Sequence, residues 1–351
     1  MRRFAPQLSF LFYLALHQAN VKLLAYFQSF TRLKVFVTKT IAIFNQAGGV
    51  GKTTLTHNLG YQIAKRDRRV LLVDMDPQSS LTKFVGLVPS ELVKTVANAI
   101  IDEESLPIHK DLLGMDFVPA NRFLSATEMQ LVSASLRDFR LKDALELVQQ
   151  QYDYILLDCP PSLGLLSYIS LVAATHVLVP VETHLKAFEG TDELLQTLTY
   201  VKSKPNKQLQ VIGFVPTRYD GRNSADIRTL EAMNEQLSAW GKVFEAIPRA
   251  TAFVDASEER LPLAALQAKH PAVKIMNKII DYIEKLARPV KEQSLLADAS
   301  LLLALLGLHL KLMNLLSLAI ALSLRLRFKL LIFIYHQSNL AAILMQKLCK
   351  P

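Results

Sequence analysis

A short apolar run, Thr40–Asn45 (TIAIFN), leads into Gly48-Gly49-Val50-Gly51-Lys52-Thr53-Thr54, and a helical pattern follows from Thr53 to Lys65. Few segments restrict a fold as strongly. The run is short and uninterrupted, as in a parallel strand buried on both faces. A strand that passes directly into a helix belongs to a crossover unit. Glycines at the junction let backbone N–H groups turn inward without Cβ clashes, and such a concave row suits phosphate oxygens. The helix N-terminus adds its dipole, Lys52 a point charge, and Thr53 a hydroxyl able to ligate Mg²⁺. A glycine-rich turn with an incidental lysine is the plain alternative. The strand before, the helix after and Lys-Thr-Thr in phase argue against it.

The same strand pattern recurs at Val70–Asp74 (VLLVD), Tyr154–Asp158 (YILLD), His176–Val181 (HVLVPV) and Val211–Val215 (VIGFV), with helix-like stretches between. A last helix is expected over Ala272–Ala287, after Pro271. Strands alternating with helices predict an α/β fold: a doubly wound, mainly parallel sheet with helices on both faces and ligands at the carboxyl ends of the strands. Three of those ends carry reactive residues: Gln46–Thr54, Asp74 with Asp76, and Asp158. No internal repeat interrupts the pattern.

Composition sets the limits of this region. The 351 residues suggest about two domains, or one large α/β domain with appendages. The net charge is +9, yet residues 1–39 hold six basic residues and no acid, and residues 291–351 seven basic residues and two acids. Residues 40–290 are therefore slightly acidic, with 27 basic and 29 acidic side chains, and they contain eleven of the twelve glycines. Between Leu295 and Ile334, 18 of 40 residues are leucine. Three zones follow: an N-terminal extension (1–37), a globular core (38–290) and a leucine-rich basic tail (291–351). The extension opens Met-Arg-Arg before the apolar run Leu8–Leu16, without a small-x-small cleavage site, and an alternative is that translation starts near Val37. In the tail, Leu322, Leu324, Leu326, Phe328 and Leu330 alternate with polar residues, a period of two unlike the stripe of an interfacial helix. The tail is membrane-seeking or not native structure. Two cysteines, Cys159 and Cys349, exclude a disulfide scaffold and a four-thiolate metal site within one chain.

The loop departs from the usual phosphate-loop pattern, because Gln46 stands where a glycine is expected six residues before Lys52. In that departure Asn45–Thr54 resembles the deviant Walker A box of the ParA/MinD family of P-loop ATPases, commonly Lys-Gly-Gly-Val-Gly-Lys-Thr-Thr. Asp74-Met75-Asp76-Pro77-Gln78 resembles that family's Asp-x-Asp-Pro-Gln box, and Tyr154–Leu163 (YILLDCPPSL) its Walker B and second switch. Val177–Pro180 and Phe214–Asp220 continue the likeness, which covers about residues 38–288. The resemblance implies ATP and Mg²⁺ as cofactors and a Mg-dependent ATPase. It implies that Gly48, Gly49, Val50 and Gly51 cradle phosphates, Lys52 holds the β/γ-phosphates and Thr54 contacts the α-phosphate. Thr53 and Asp158 would hold Mg²⁺, and Asp76 would orient the attacking water, a task for which a carboxylate beside the γ-phosphate is suited. Cys159 reads as a small packed residue of the switch.

The family's signature lysine, which reaches the partner's phosphates across a dimer, is Ala47 here. Losing a cation at the transferring phosphoryl slows hydrolysis or demands a substitute. Carboxysome-positioning relatives also lack it and recruit a later lysine. Lys186 is the candidate, against an ordinary exposed lysine at a helix start. The resemblance further implies an ATP-dependent homodimer, non-specific binding to nucleoid DNA, a cargo adaptor that stimulates hydrolysis, and a cytoplasmic, nucleoid-associated location. The cargo would be a carboxysome or a plasmid or chromosome region. Cations for DNA lie between Arg218 and Lys285; Arg249, Lys274 and Lys278 are the leading ones, and Lys274, Lys278 and Lys285 share a helical face that Asp281 interrupts. A solvated surface helix is the plain alternative for that face. The other function class is a MinD-like membrane-bound positioning ATPase using the C-terminal tail, less favoured because of the leucine spacing. An electron-transfer relative is excluded because it needs two cluster cysteines in the core.

Overall fold

The computed structural model describes residues 38–184, 188, 190–286 and scattered positions of the tail between 307 and 333. The chain divides into two compact units, 1–289 and 290–351. In the first unit, eight strands among the described residues form one sheet: β1 (Lys39–Ile43), β2 (Val70–Asp74), β3 (His109–Leu112), β4 (Met115–Val118), β5 (Tyr154–Asp158), β6 (His176–Glu182), β7 (Gln210–Thr217) and β8 (Lys242–Val243). Their order is β3-β4-β2-β5-β1-β6-β7-β8, parallel throughout except for the β3–β4 edge hairpin. The doubly wound expectation holds. The sheet also gains three strands the sequence patterning did not signal: β3, β4 and β8.

Both faces of the central strands are covered, so alternate residues enter opposite cores. Ile41 and Ile43 of β1 join Leu72 of β2 and Leu156 of β5 under helix α1 (Lys52–Ala64). Ala42 and Phe44 face the other side, with Val177 and Phe214. The last core helix of the unit, α2 (Pro271–Lys285), packs Ile275, Ile279 and Ile283 onto the α1 side. Pro271 fits its first turn, where no intrahelical N–H is needed. Lys39 donates to the carbonyls of Ile283 (2.6 Å) and Leu286 (3.2 Å), satisfying the end of α2 from the foot of β1.

Register then sets the functional end. Ile43 pairs with Asp158, and Asp74 pairs with Asp158, so β1, β5 and β2 end level. By alternation from Leu72 and Leu156, Asp74 and Asp158 both point to the α1 face. In the tail unit, the described positions are helical and exposed; Leu318, Leu322, Leu326 and Leu330 are spaced by four. Leu324 and Phe328 of the alternation read from the sequence lie outside the described residues. The extension 1–37 lies outside the described residues. No helix among the described residues is long and apolar enough to cross a membrane.

Candidate functional site

Gly49 (φ 75°) and Gly51 (φ 92°) adopt left-handed backbone, which glycine reaches without Cβ strain. Gly51 is the N-cap of α1 and supplies no side-chain cap, and the first turn of α1 carries no acid. The helix therefore presents free N–H groups and the positive end of its dipole to the loop, a ready anion site. The loop is strapped from three sides. Asn45 donates to the Pro180 carbonyl (2.7 Å) and accepts from the Ala47 N–H (2.9 Å). Gln46 donates to the Gly190 carbonyl. The Thr217 hydroxyl donates to the Val50 carbonyl at 2.9 Å. Lys52, only 6% exposed, folds back to donate to the Ala47 carbonyl at 2.8 Å. Burial lowers its pKa, while the nearby Asp158, Cys159 and Asp76 pull it back up.

The two carboxylates after β2 divide their work. Asp74 is fully buried and accepts from the Thr82 hydroxyl (2.7 Å), the Thr82 N–H (2.9 Å) and the Asp76 N–H (3.0 Å). It clamps the turn that carries Asp76. Burial lifts its pKa to about 6. Asp76 keeps fewer ties, accepting from the Gln78 N–H at 2.8 Å, and burial raises its pKa against the pull of Lys52.

Asp158 is as buried as Asp74 but has fewer hydrogen-bond partners. Its Oδ1 accepts from the Thr56 hydroxyl at 3.3 Å, and its Oδ2 is buried without a partner. Burial and then Asp74 push its pKa well up, with the Thr53 hydroxyl acting in the opposite sense. An orphaned carboxylate oxygen beside a threonine hydroxyl at a helix N-terminus fits a divalent cation. No cluster of three or more acidic, histidine or cysteine side chains among the described residues makes an all-protein cage. Mg²⁺ fits such a donor set, because it takes few protein ligands and completes its shell with water and phosphate oxygens. Cys159 is buried, and its thiol is pushed up to about 12 by desolvation, so it is a packed residue and not a nucleophile.

Beyond Asp158 the chain runs through Pro160–Gly164 into a helix, Leu165–Ala173, that has no cap of its own. Glu128 supplies one from another element, its Oε1 accepting from the Leu166 N–H at 3.2 Å. A Cβ on Gly164 would lie 2.5 Å from that oxygen, so a larger residue there would push the Glu128 side chain off its cap. Beside the loop opens a cavity of about 390 Å³, with an apolar floor including Leu55, Ile247, Phe253 and Met276 and a cationic rim of Arg218 and Arg249.

The structure thus brings the loop, Lys52, Thr53, Asp76 and Asp158 to one end of the sheet. The three cations expected to hold DNA lie on two segments. Arg249 lies on the cavity rim, 4.0 Å from Glu182. Lys274 and Lys278 lie on the exposed side of α2, and Lys278 is paired with Glu245 at 2.6 Å. Asp281 is engaged by Arg66 at 2.7 Å. Lys186 lies outside the described residues. Sequence reasoning missed Thr82, Glu128, Glu182 and Thr217 and placed Arg218 only among the cations for DNA. Its one available signal was the family-like run Phe214–Asp220, which names no roles.

Residues 38–211 match the AAA domain family. The chain is 38% identical over 229 residues to the sporulation initiation inhibitor protein Soj of Bacillus subtilis, covering 64% of this chain and 90% of Soj. It is 38% identical over 214 residues to the chromosome partitioning protein ParA of Myxococcus xanthus, covering 60% of this chain and 75% of that protein. Among solved structures, cobyrinic acid a,c-diamide synthase from Mycobacterium smegmatis, with a bound ATP analogue and magnesium, superposes with a TM-score of 0.59 at 32% identity. That alignment covers 64% of this chain and 93% of the synthase.

Proposed function

The chain belongs to the ParA/MinD family of P-loop ATPases, and on that premise we propose that it is a Mg-dependent ATPase that dimerises on ATP, binds nucleoid DNA without sequence preference and partitions or positions an intracellular cargo. The observation that carries the catalytic part is the level row at the ends of β1, β5 and β2, which sets Lys52, Asp158 and Asp76 around a helix N-terminus. Backbone N–H groups of Gly48–Thr54 and the Lys52 ammonium bind the phosphates. Thr53 and Asp158 would hold Mg²⁺, which when bound offsets the charge of the phosphates. Asp76, partly freed while Asp74 clamps its turn, accepts a hydrogen bond from the attacking water and holds it in line. The test is ATP hydrolysis by the wild type beside Lys52→Ala and Asp76→Ala, with dimerisation by light scattering and DNA co-sedimentation at each nucleotide state. Equal rates in all three proteins would rule the mechanism out.

The relative that partitions chromosomes supports a chromosomal DNA region as the cargo; a plasmid region, and an adaptor that stimulates hydrolysis, belong to the same reading. Ala47 supports the carboxysome branch as the alternative cargo, with Lys186 as the replacement cation; an unchanged rate in Lys186→Ala excludes that substitution. A membrane-bound mode is the second reading, favoured by the exposed leucines Leu318, Leu322, Leu326 and Leu330. Co-sedimentation with DNA against anionic liposomes, before and after removal of 291–351, separates the two.

A further inference from the structure

Arg218 holds φ 55°, a left-handed conformation that ordinary side chains avoid and that persists only where neighbours enforce it. Here they do. The preceding Thr217 is tied to the Val50 carbonyl, the Tyr219 N–H donates to the Ile247 carbonyl (3.1 Å), and the Arg249 N–H donates to the Tyr219 carbonyl (3.0 Å). Such a position would suit glycine better, so the side chain is what the strain secures. Its guanidinium lies over the phosphate loop, with Nη1 at 3.4 Å from the Gly49 carbonyl oxygen. The same nitrogen stands 3.5 Å from Glu182, whose carboxylate is also 4.0 Å from Arg249. One carboxylate thus faces two guanidiniums, both at loose distance. A guanidinium has five N–H donors in a fixed fork, and these contacts leave most of that capacity for an anion. Across the loop, Ala47 brings no charge.

We propose that Arg218 is a nucleotide-binding residue, parked on Gly49 and Glu182 in the free protein and transferred to a phosphate oxygen when nucleotide fills the loop. Glu182 is its resting partner and a competitor of the phosphate for the guanidinium. Arg249 stays with Glu182 when Arg218 leaves. The phosphates thereby gain an intrachain cation on the cavity side of the loop, in a site without the lysine expected at position 47. This inference rests on the ATP-binding reading above.

The test is equilibrium binding of N-methylanthraniloyl-ADP with Mg²⁺ to the full chain, with the melting temperature measured in parallel. Arg218→Gly removes the guanidinium and relieves the backbone, so affinity falls by about ten- to a hundredfold while the melting temperature is unchanged or higher. Glu182→Gln removes the competitor, so affinity rises by about two- to fivefold. Arg218→Lys keeps the charge without the fork and falls between wild type and Arg218→Gly. Arg218→Gly binding within twofold of wild type overturns the inference alone, as does a loss of affinity matched by a loss of melting temperature. If neither wild type nor Lys52→Ala binds the probe, the ATP reading fails and takes this one with it.

Discussion

Two sets of cations, on the loop and on α2, face opposite electrostatic situations. Lys52 is almost buried and touches only a carbonyl, with Asp76 and Asp158 near it but not in contact. Arg218 reaches its carboxylate at 3.5 Å. On α2, by contrast, Lys278 already holds Glu245 at 2.6 Å in the open. Lys52, desolvated and without a carboxylate in contact, and Arg218, about half exposed but only loosely partnered, are both prepared to accept an anion, whereas an exposed cation in a contact pair is largely neutralised and worth little. Formal charge counts the two sets alike; the surroundings do not.

The largest effects should come from the loop side. Lys52→Ala and Asp76→Ala each lower the ATP hydrolysis rate by about two to three orders of magnitude, because each removes a group placed on the reacting phosphate or its water. A coupled phosphate-release assay on purified protein reads this directly. A fall of less than tenfold in either variant would break the contrast with α2.

Asp158 separates function from stability at the same site. Its folded-state pKa lies above the unfolded value, so the folded protein binds the extra proton and stability falls as pH rises through that range. Asp74, lifted to about 6, acts in the same sense between roughly pH 4 and 6. Asp158→Asn therefore abolishes Mg-dependent hydrolysis yet stabilises the nucleotide-free protein at pH 7 by about 1–2 kcal/mol, because a buried charge is gone. Melting curves at pH 5 and pH 7.5 should show wild type losing more stability than the variant on going to the higher pH. A variant less stable than wild type at pH 7.5 would contradict the assignment.

The loop was legible because its signals are local. Buried parallel strands are continuous apolar runs, so Val70–Asp74 and Tyr154–Asp158 were readable at their true limits. The strands β3 and β8 had no such signal: β3 (HKDL) is polar at the sheet edge, and β8 is two residues long. Asp74 and Asp76 are alike in sequence, and their division of labour depends on Thr82, eight residues beyond Asp74. Arg218 is one arginine in a loop, and only the register of β7 against β6 brings it to Glu182 and the glycines. On α2 the helix and its cationic face were readable from spacing, but the acids that neutralise the face come from or pair with other segments.

The α2 cations should respond more weakly, and unequally. Lys274 carries no ion pair among the described contacts, whereas Lys278 does. If α2 contacts DNA phosphates, Lys274→Ala weakens co-sedimentation by about three- to tenfold at 0.1 M salt and reduces the salt slope by about 1, and Lys278→Ala does less. Double-stranded DNA of unrelated sequences should report the same ratio. A larger loss for Lys278→Ala would show that Glu245 releases it on binding.

The smallest effect tests what sets the sign of that face. Arg66, from the loop that ends α1, donates to Asp281 (2.7 Å), Glu284 (3.0 Å) and the Asn277 side chain (3.0 Å). It thus neutralises the two acids that would otherwise stand beside Lys274 and Lys278. Arg66→Ala loses a partly exposed network worth about 0.5–1 kcal/mol, a shift of a few degrees at most in melting temperature. Its second consequence is electrostatic: Asp281 is unmasked on α2 while Glu284 keeps Arg68 at 3.6 Å, and any DNA affinity there drops by about two- to threefold at low salt and converges with wild type above roughly 0.3 M. Hydrolysis without DNA should not change, because Arg66 lies at the far end of α1 from Lys52. A change in basal hydrolysis would mean that α2 and the loop respond as one unit, and the contrast between the two cation sets would then describe their chemistry but not their independence.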